Sequence, residues 1–156
     1  MAQALSFALQ QKANPNDPPM GADRIPHKKP QPGELLAMTI KELGNFEFDA
    51  NTQTDVPEDV KLLEGAHVRL NGFMIPLTQS EKIASFALVP SLVGCCFGAP
   101  PGVQHIITCR TAPDKGLDYA LDEIYVEGII HIKVKREEGY TSNIFDLEVI
   151  SAKVKE

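Results

Sequence analysis

Ile124-Tyr125-Val126-Glu127-Gly128-Ile129-Ile130-His131-Ile132-Lys133-Val134-Lys135-Arg136 is the stretch on which the fold turns. In its second half Ile130, Ile132 and Val134 alternate with His131, Lys133 and Lys135, the two-residue period of a strand with one buried and one wet face. Gly128 breaks the middle of the run, where a small barrel must bend. Beyond a turn around Glu137 to Tyr140, Ile144 to Val154 supplies a partner strand, with Phe145, Leu147 and Val149 on one face.

Three more extended segments lie upstream. His67 to Leu77 begins with Val68 and Leu70 alternating against His67, Arg69 and Asn71, and Gly72 marks a bulge or bend. Ile83 to Val89 is stopped by Pro90, and Val103 to Arg110 follows. A short irregular segment, Thr111 to Asp122, separates that third strand from the fourth. Thr39-Ile40-Lys41-Glu42 fits a capping box and predicts a helical turn ending at Gly44. Pro57 to Gly65, with Pro and acids first and Gly last, predicts a second short helix. Five strands, mid-strand glycines and no long amphipathic helix predict a mainly β fold, a five-stranded OB-like barrel with short helical turns. Phe73, Phe86 and Tyr125 read as core.

The first residues read differently. Lys12 to Pro32 carries Asn14-Pro15, Pro18-Pro19, Ile25-Pro26 and Pro30-Gln31-Pro32, and buries too little apolar surface to offset its ordering entropy. Residues 1–38 are therefore expected to be a disordered or extended tail, serving as leader, linker or docking arm, and residues 39–156 the barrel domain. Apolar residues are 43% of the 156, enough for one core without a disulfide framework or a structural metal. A net charge of −6 argues against binding to a phosphate backbone, which depends on clustered Lys and Arg. The longest apolar candidate for a membrane segment, Ile83 to Cys96, is interrupted by Pro90 and too short to span, and no signal peptide is visible at the N-terminus.

Chemistry concentrates in one loop, Gly94-Cys95-Cys96-Phe97-Gly98. His105 and Cys109 follow, giving Cys-Cys-x8-His-x3-Cys, which is not a standard zinc spacing. On a strand from Val103 to Arg110, His105 and Cys109 would stand roughly 13 Å apart at about 3.3 Å per residue, too far to share an ion. Cys109 is accordingly expected in the core. Three readings stay open for Cys95 and Cys96. They fill a tight loop structurally, they bind a soft metal such as zinc or copper(I) together with His105, or they do thiol redox chemistry, including a vicinal disulfide. His67 and His131 are expected on solvated strand faces, and Asp114, Asp118, Asp122 and Glu123 on an ordinary solvated loop. With no Ser-His-Asp elbow, phosphate loop or His-Glu-x-x-His, the chain reads as a binding module rather than an enzyme.

Gly72-Phe73-Met74-Ile75-Pro76-Leu77, Phe86-Ala87-Leu88-Val89-Pro90, Cys95-Cys96-Phe97-Gly98 with Pro100-Pro101 and Gln104, and Val126-Glu127-Gly128 together give a pattern that resembles the bacterial DUF3299 family. It is most similar to a planctomycete-type branch, in which Cys-Cys-Phe-Gly replaces the Cys-x-His-x-Pro-Pro run of other members. The resemblance implies an OB-like fold and a periplasmic or envelope setting, with a transporter or other envelope protein as partner. It implies no established activity. Phe97 and Gly98 stand where other members would place a His, which weakens any metal site carried over from the wider family. The functional expectation is thus a metal-binding accessory module in the cell envelope. A thiol redox or sensor protein and a purely structural interaction domain are the alternatives.

Overall fold

Alternation decides which strands form and which face they bury. A computed structural model describes residues 24–52, 55–77, 81–92, 102–112 and 114–155. Along these run β1 (Leu35–Ala37), α1 (Ile40–Leu43), α2 (Glu58–Lys61), β2 (His67–Pro76), β3 (Ser85–Val89), a 3-10 turn (Val103–His105), β4 (Ile107–Arg110), β5 (Ile124–Glu137) and β6 (Tyr140–Val154).

The fold is mainly β, one six-stranded sheet that is partly ring-like. β2 runs antiparallel to β5 through His67 to Gly72 and antiparallel to β3 through Phe73 to Pro76. β3 pairs with β4, β4 lies parallel to β6, and β6 returns antiparallel to β5. The order β2-β3-β4-β6-β5 therefore leads back to β2, as the OB-like expectation requires. Gly72 is where β2 changes partner. A Cβ there would stand 2.6 Å from the Val89 carbonyl oxygen, so only glycine lets the strands approach so closely. The β5-β6 turn is two residues long, with Glu138 at φ 48° and Gly139 at φ 89°. Both positive values are what a tight hairpin turn demands.

Inside the ring, Phe86, Phe145, Leu70, Leu88, Ile107 and Ile130 are fully buried, and Ile40 and Leu43 of α1 join the same core with Val60 of α2. Thr39 caps α1 as the sequence predicts, its hydroxyl accepting from the Glu42 amide at 3.0 Å.

Four expectations change in detail. Residues 103–105 form the 3-10 turn, and the third strand of the ring begins only at Ile107. Tyr125 is not core: it faces outward on β5, between inward Ile124 and Val126, with the Arg69 guanidinium over its ring. Phe73 is likewise half-exposed, while its neighbour Met74 points in. A sixth strand, β1, lies within residues 1–38 and pairs parallel to His67–Arg69 of β2. Its three residues are too few for period-two alternation to announce them.

Candidate functional site

The segment Leu43-Gly44-Asn45-Phe46 leaves α1 with four consecutive carbonyls that helix and sheet do not use. Buried carbonyls must find donors. Each finds a side chain, and the donors alternate between two origins. The Leu43 oxygen accepts from His27 Nε2 at 3.0 Å and the Gly44 oxygen from His105 Nε2 at 2.9 Å. The Asn45 oxygen accepts from Arg24 Nε at 3.0 Å and the Phe46 oxygen from Gln104 Nε2 at 3.2 Å. Residues 43–46 therefore form a strap held from one side by the N-terminal arm and from the other by the 3-10 turn.

Gly44 shows how tight the second side is. A Cβ there would lie 2.2 Å from the Gln104 carbonyl oxygen and 3.0 Å from His105 Cδ2. Its φ of −99° is open to any residue, so close approach, and not a left-handed cap, explains this glycine. Gly102 does the same for the Gln104 side chain, whose amide oxygen would be 2.4 Å from a Cβ. That oxygen is buried and is the one side-chain polar atom among the described residues that lacks a hydrogen-bond partner while buried.

On the arm side, Arg24 spends nearly all its donors. Nη1 and Nη2 reach both Asp59 oxygens at 2.9 and 2.6 Å, and Nε and Nη2 also reach Asn45 Oδ1. The Asp59 carboxylate accepts the His27 amide as well, at 2.8 Å. Arg24 and Asp59 side chains are only 14% and 17% exposed, so this bidentate pair is poorly screened. Arg24 hydrogen bonding, helped by the His27 amide and opposed by partial burial, holds the Asp59 carboxyl below its ordinary value. Residues 24–38 thus lie against the barrel although their composition reads as a tail, because they are anchored by a few polar contacts rather than by apolar area.

Of the sequence-predicted site residues, Cys95 and Cys96 lie outside the described residues. His105 is half-buried on the 3-10 turn that follows them in sequence. Because a carbonyl can only accept, Nε2 of His105 carries a proton, and in the neutral ring Nδ1 holds the lone pair. Cys109 is in the core as expected, fully buried on β4. Burial, with the Asp146 charge adding, pushes its thiol far above the ordinary range, so it is no nucleophile at neutral pH. The solvated histidines have partners after all. His67 Nε2 meets Glu127 at 2.9 Å, and the His131 ring bridges Glu64 and Glu148 at 2.6 and 3.1 Å. Among the described residues no cluster of three or more His, Cys, Asp or Glu could hold a metal ion, and no helix is long and apolar enough to cross a membrane.

Sequence reasoning missed Arg24, Asp59, Asn45 and Gln104. Their contacts span 21 to 58 residues along the chain, a separation that no local pattern reports. The capping carbonyls after α1 were the available signal, since a helix ending at a glycine always leaves acceptors to satisfy.

Comparison with known proteins places the chain beside one family. The model of a family described as "Protein of unknown function (DUF3299)" covers residues 21–152. A crystal structure of a DUF3299 family protein from Pseudomonas aeruginosa PAO1 superposes with a TM-score of 0.53 at 25% identity, over 68% of this chain and 72% of that one. No curated protein matches significantly.

Proposed function

This chain belongs to the DUF3299 family, and we propose that it is a non-enzymatic binding module in which Cys95, Cys96 and His105 take a soft metal ion, zinc or copper(I). The observation that carries this reading is the hydrogen bond from His105 Nε2 to the Gly44 carbonyl. A metal-binding imidazole characteristically donates its other ring N–H to a carbonyl or carboxylate, which fixes ring orientation and tautomer. His105 has that arrangement, and it sits on the 3-10 turn that follows both cysteines in sequence. Thiolate and imidazole donors suit zinc and copper(I) better than hard cations. The chain would act as an accessory in the bacterial envelope, beside a transporter or another envelope protein.

Metal content of the full chain, purified without oxygen, tests the site. About one equivalent of zinc or copper is expected, falling to background in Cys96→Ser and to well under half in His105→Ala. Background metal in the unmodified chain would sink the proposal. Reversible oxidation of Cys95 and Cys96 by mild peroxide in that metal-free protein would replace it with the redox reading.

A further inference from the structure

Away from the core, the outward faces of β2, β5 and β6 build a second feature. Cross-strand register sets Asn71, Tyr125 and Lys153 in one row, and Arg69, Glu127 and Ser151 in the next. These rows border a shallow hollow of about 210 Å³ lined by Arg69, Tyr125, Glu127, Ser151, Ala152 and Lys153. The Arg69 guanidinium lies over the Tyr125 ring at 5.2 Å, and the Lys155 ammonium lies 5.7 Å from the same ring.

Charge pairing on this face is uneven. The carboxylates are engaged: Glu127 with His67 at 2.9 Å, and Glu123 with Asn71 at 2.6 Å and Lys155 at 3.4 Å. Arg69 and Lys153 make no ion pair among the described residues. In a chain with 21 acids against 15 bases, this hollow carries two cations, Arg69 and Lys153, against one carboxylate, Glu127, which lies opposite Arg69 in register. Held over Tyr125, the Arg69 guanidinium carries the paired N–H donors that can grip an oxyanion through two parallel hydrogen bonds. Lys153 adds a point charge, and the Ser151 hydroxyl a further donor.

We infer that this hollow binds a single phosphate group, free or as the monoester of a small molecule, between Arg69 and Lys153. Two cations around one hollow favour phosphate over carboxylate, because a phosphate monoester carries a charge of about −1.5 to −2 at neutral pH. Glu127 also lines the hollow and opposes the anion, which keeps binding weak and dependent on ionic strength. The site shares no residue with the proposed metal site, so either stands if the other falls.

Backbone amide NMR of the full chain tests it, with inorganic phosphate, phenyl phosphate and benzoate titrated at constant ionic strength against sodium chloride. Saturable shifts at Tyr125, Ser151 and Lys153 are expected with both phosphates and not with chloride, and benzoate should bind at least tenfold more weakly. Tighter binding of phenyl phosphate than of phosphate would identify the esterified form as the ligand, and equal binding the free ion. Arg69→Ala and Lys153→Ala should each weaken binding about tenfold, Arg69→Lys should recover only part, and Glu127→Gln should tighten it several-fold. Lys133→Ala, a cation elsewhere on the sheet, should change nothing. Equal responses to phosphate and chloride, or phosphate binding undiminished in Arg69→Ala, would overturn the inference.

Discussion

The ring of strands and the strap at residues 43–46 hold together by opposite means. Ring residues such as Phe86, Leu88, Ile107, Phe145 and Leu147 are at most 1% exposed and bond to one another by area. Every strap carbonyl, by contrast, is satisfied by one specific side chain from a distant part of the chain. Burial is tolerant in detail and large in sum. A carbonyl-side chain contact is small and specific, and its loss leaves a buried acceptor unsatisfied. The ring therefore sets stability, and the strap sets where His105 and the start of the arm are placed.

The sharpest way to break this contrast is to remove a ring side chain. Phe86 is fully buried on β3 and touches no group of the strap by hydrogen bonding. Truncating Phe86 to Ala should cost about 3–5 kcal/mol, read as a lowered midpoint in urea with an unchanged slope. A loss below about 1 kcal/mol would mean that the ring packs far more loosely than its burial indicates.

Next in size is the arm. Arg24→Ala strips the strap and Asp59 of five contacts and leaves a poorly hydrated carboxylate, so a loss of about 2–3 kcal/mol is expected. Amide hydrogen exchange decides whether the strap couples its two sides. Faster exchange near residues 102–106 in Arg24→Ala would show coupling from arm to turn, whereas change confined to residues 24–46 would show two independent attachments. Acid offers a second route to the same contact. Asp59 titrates below its ordinary value in the fold, so its contribution is complete above about pH 4 and is lost as pH falls through the depressed value.

This division also explains what could be read in advance. The long strands were legible because alternation is local: Ile130, Ile132 and Val134 in β5 announce their face to anyone counting by two. Gly72 and Gly128 were legible as bends for the same reason. Tyr125 misled because an aromatic ring between Ile124 and Val126 counts as apolar in composition, although its parity places it outside, under Arg69. The 3-10 turn at Val103–His105 escaped because Val103 and Ile107 frame it like a strand. Arg24 and Asp59 could not be seen at all. Nothing within a window of a dozen residues says that an arginine in a proline-rich stretch will meet an acid 35 positions later.

The smallest effect lies on the ring's outer surface, where a polar contact of the strap's kind meets the sheet. The His131 ring reaches Glu64 through Nδ1 and Glu148 through Nε2. Since carboxylates accept, both nitrogens donate together only when the ring is protonated. Glu148 and Glu64 accordingly raise the His131 value above its ordinary one. For Glu64, partial burial pulls upward, but the Ile132 amide and the His131 ring more than offset it, and the net shift is down. A raised histidine contributes fully below its unfolded value near 6.5 and loses that contribution as pH rises through the folded value. A lowered glutamate loses its contribution as pH falls through the depressed value. The clasp is thus fully engaged from just above the ordinary glutamate range to about pH 6.5. Because Glu64 and Glu148 side chains are 51% and 71% exposed, solvent screening holds the total under about 1 kcal/mol. Denaturant midpoints at pH 5.5 and pH 9 should therefore differ more in the parent chain than in His131→Gln. The gap should shrink in high salt if the ion pairs carry it, and a gap unaffected by both substitution and salt would leave the clasp without a part in stability.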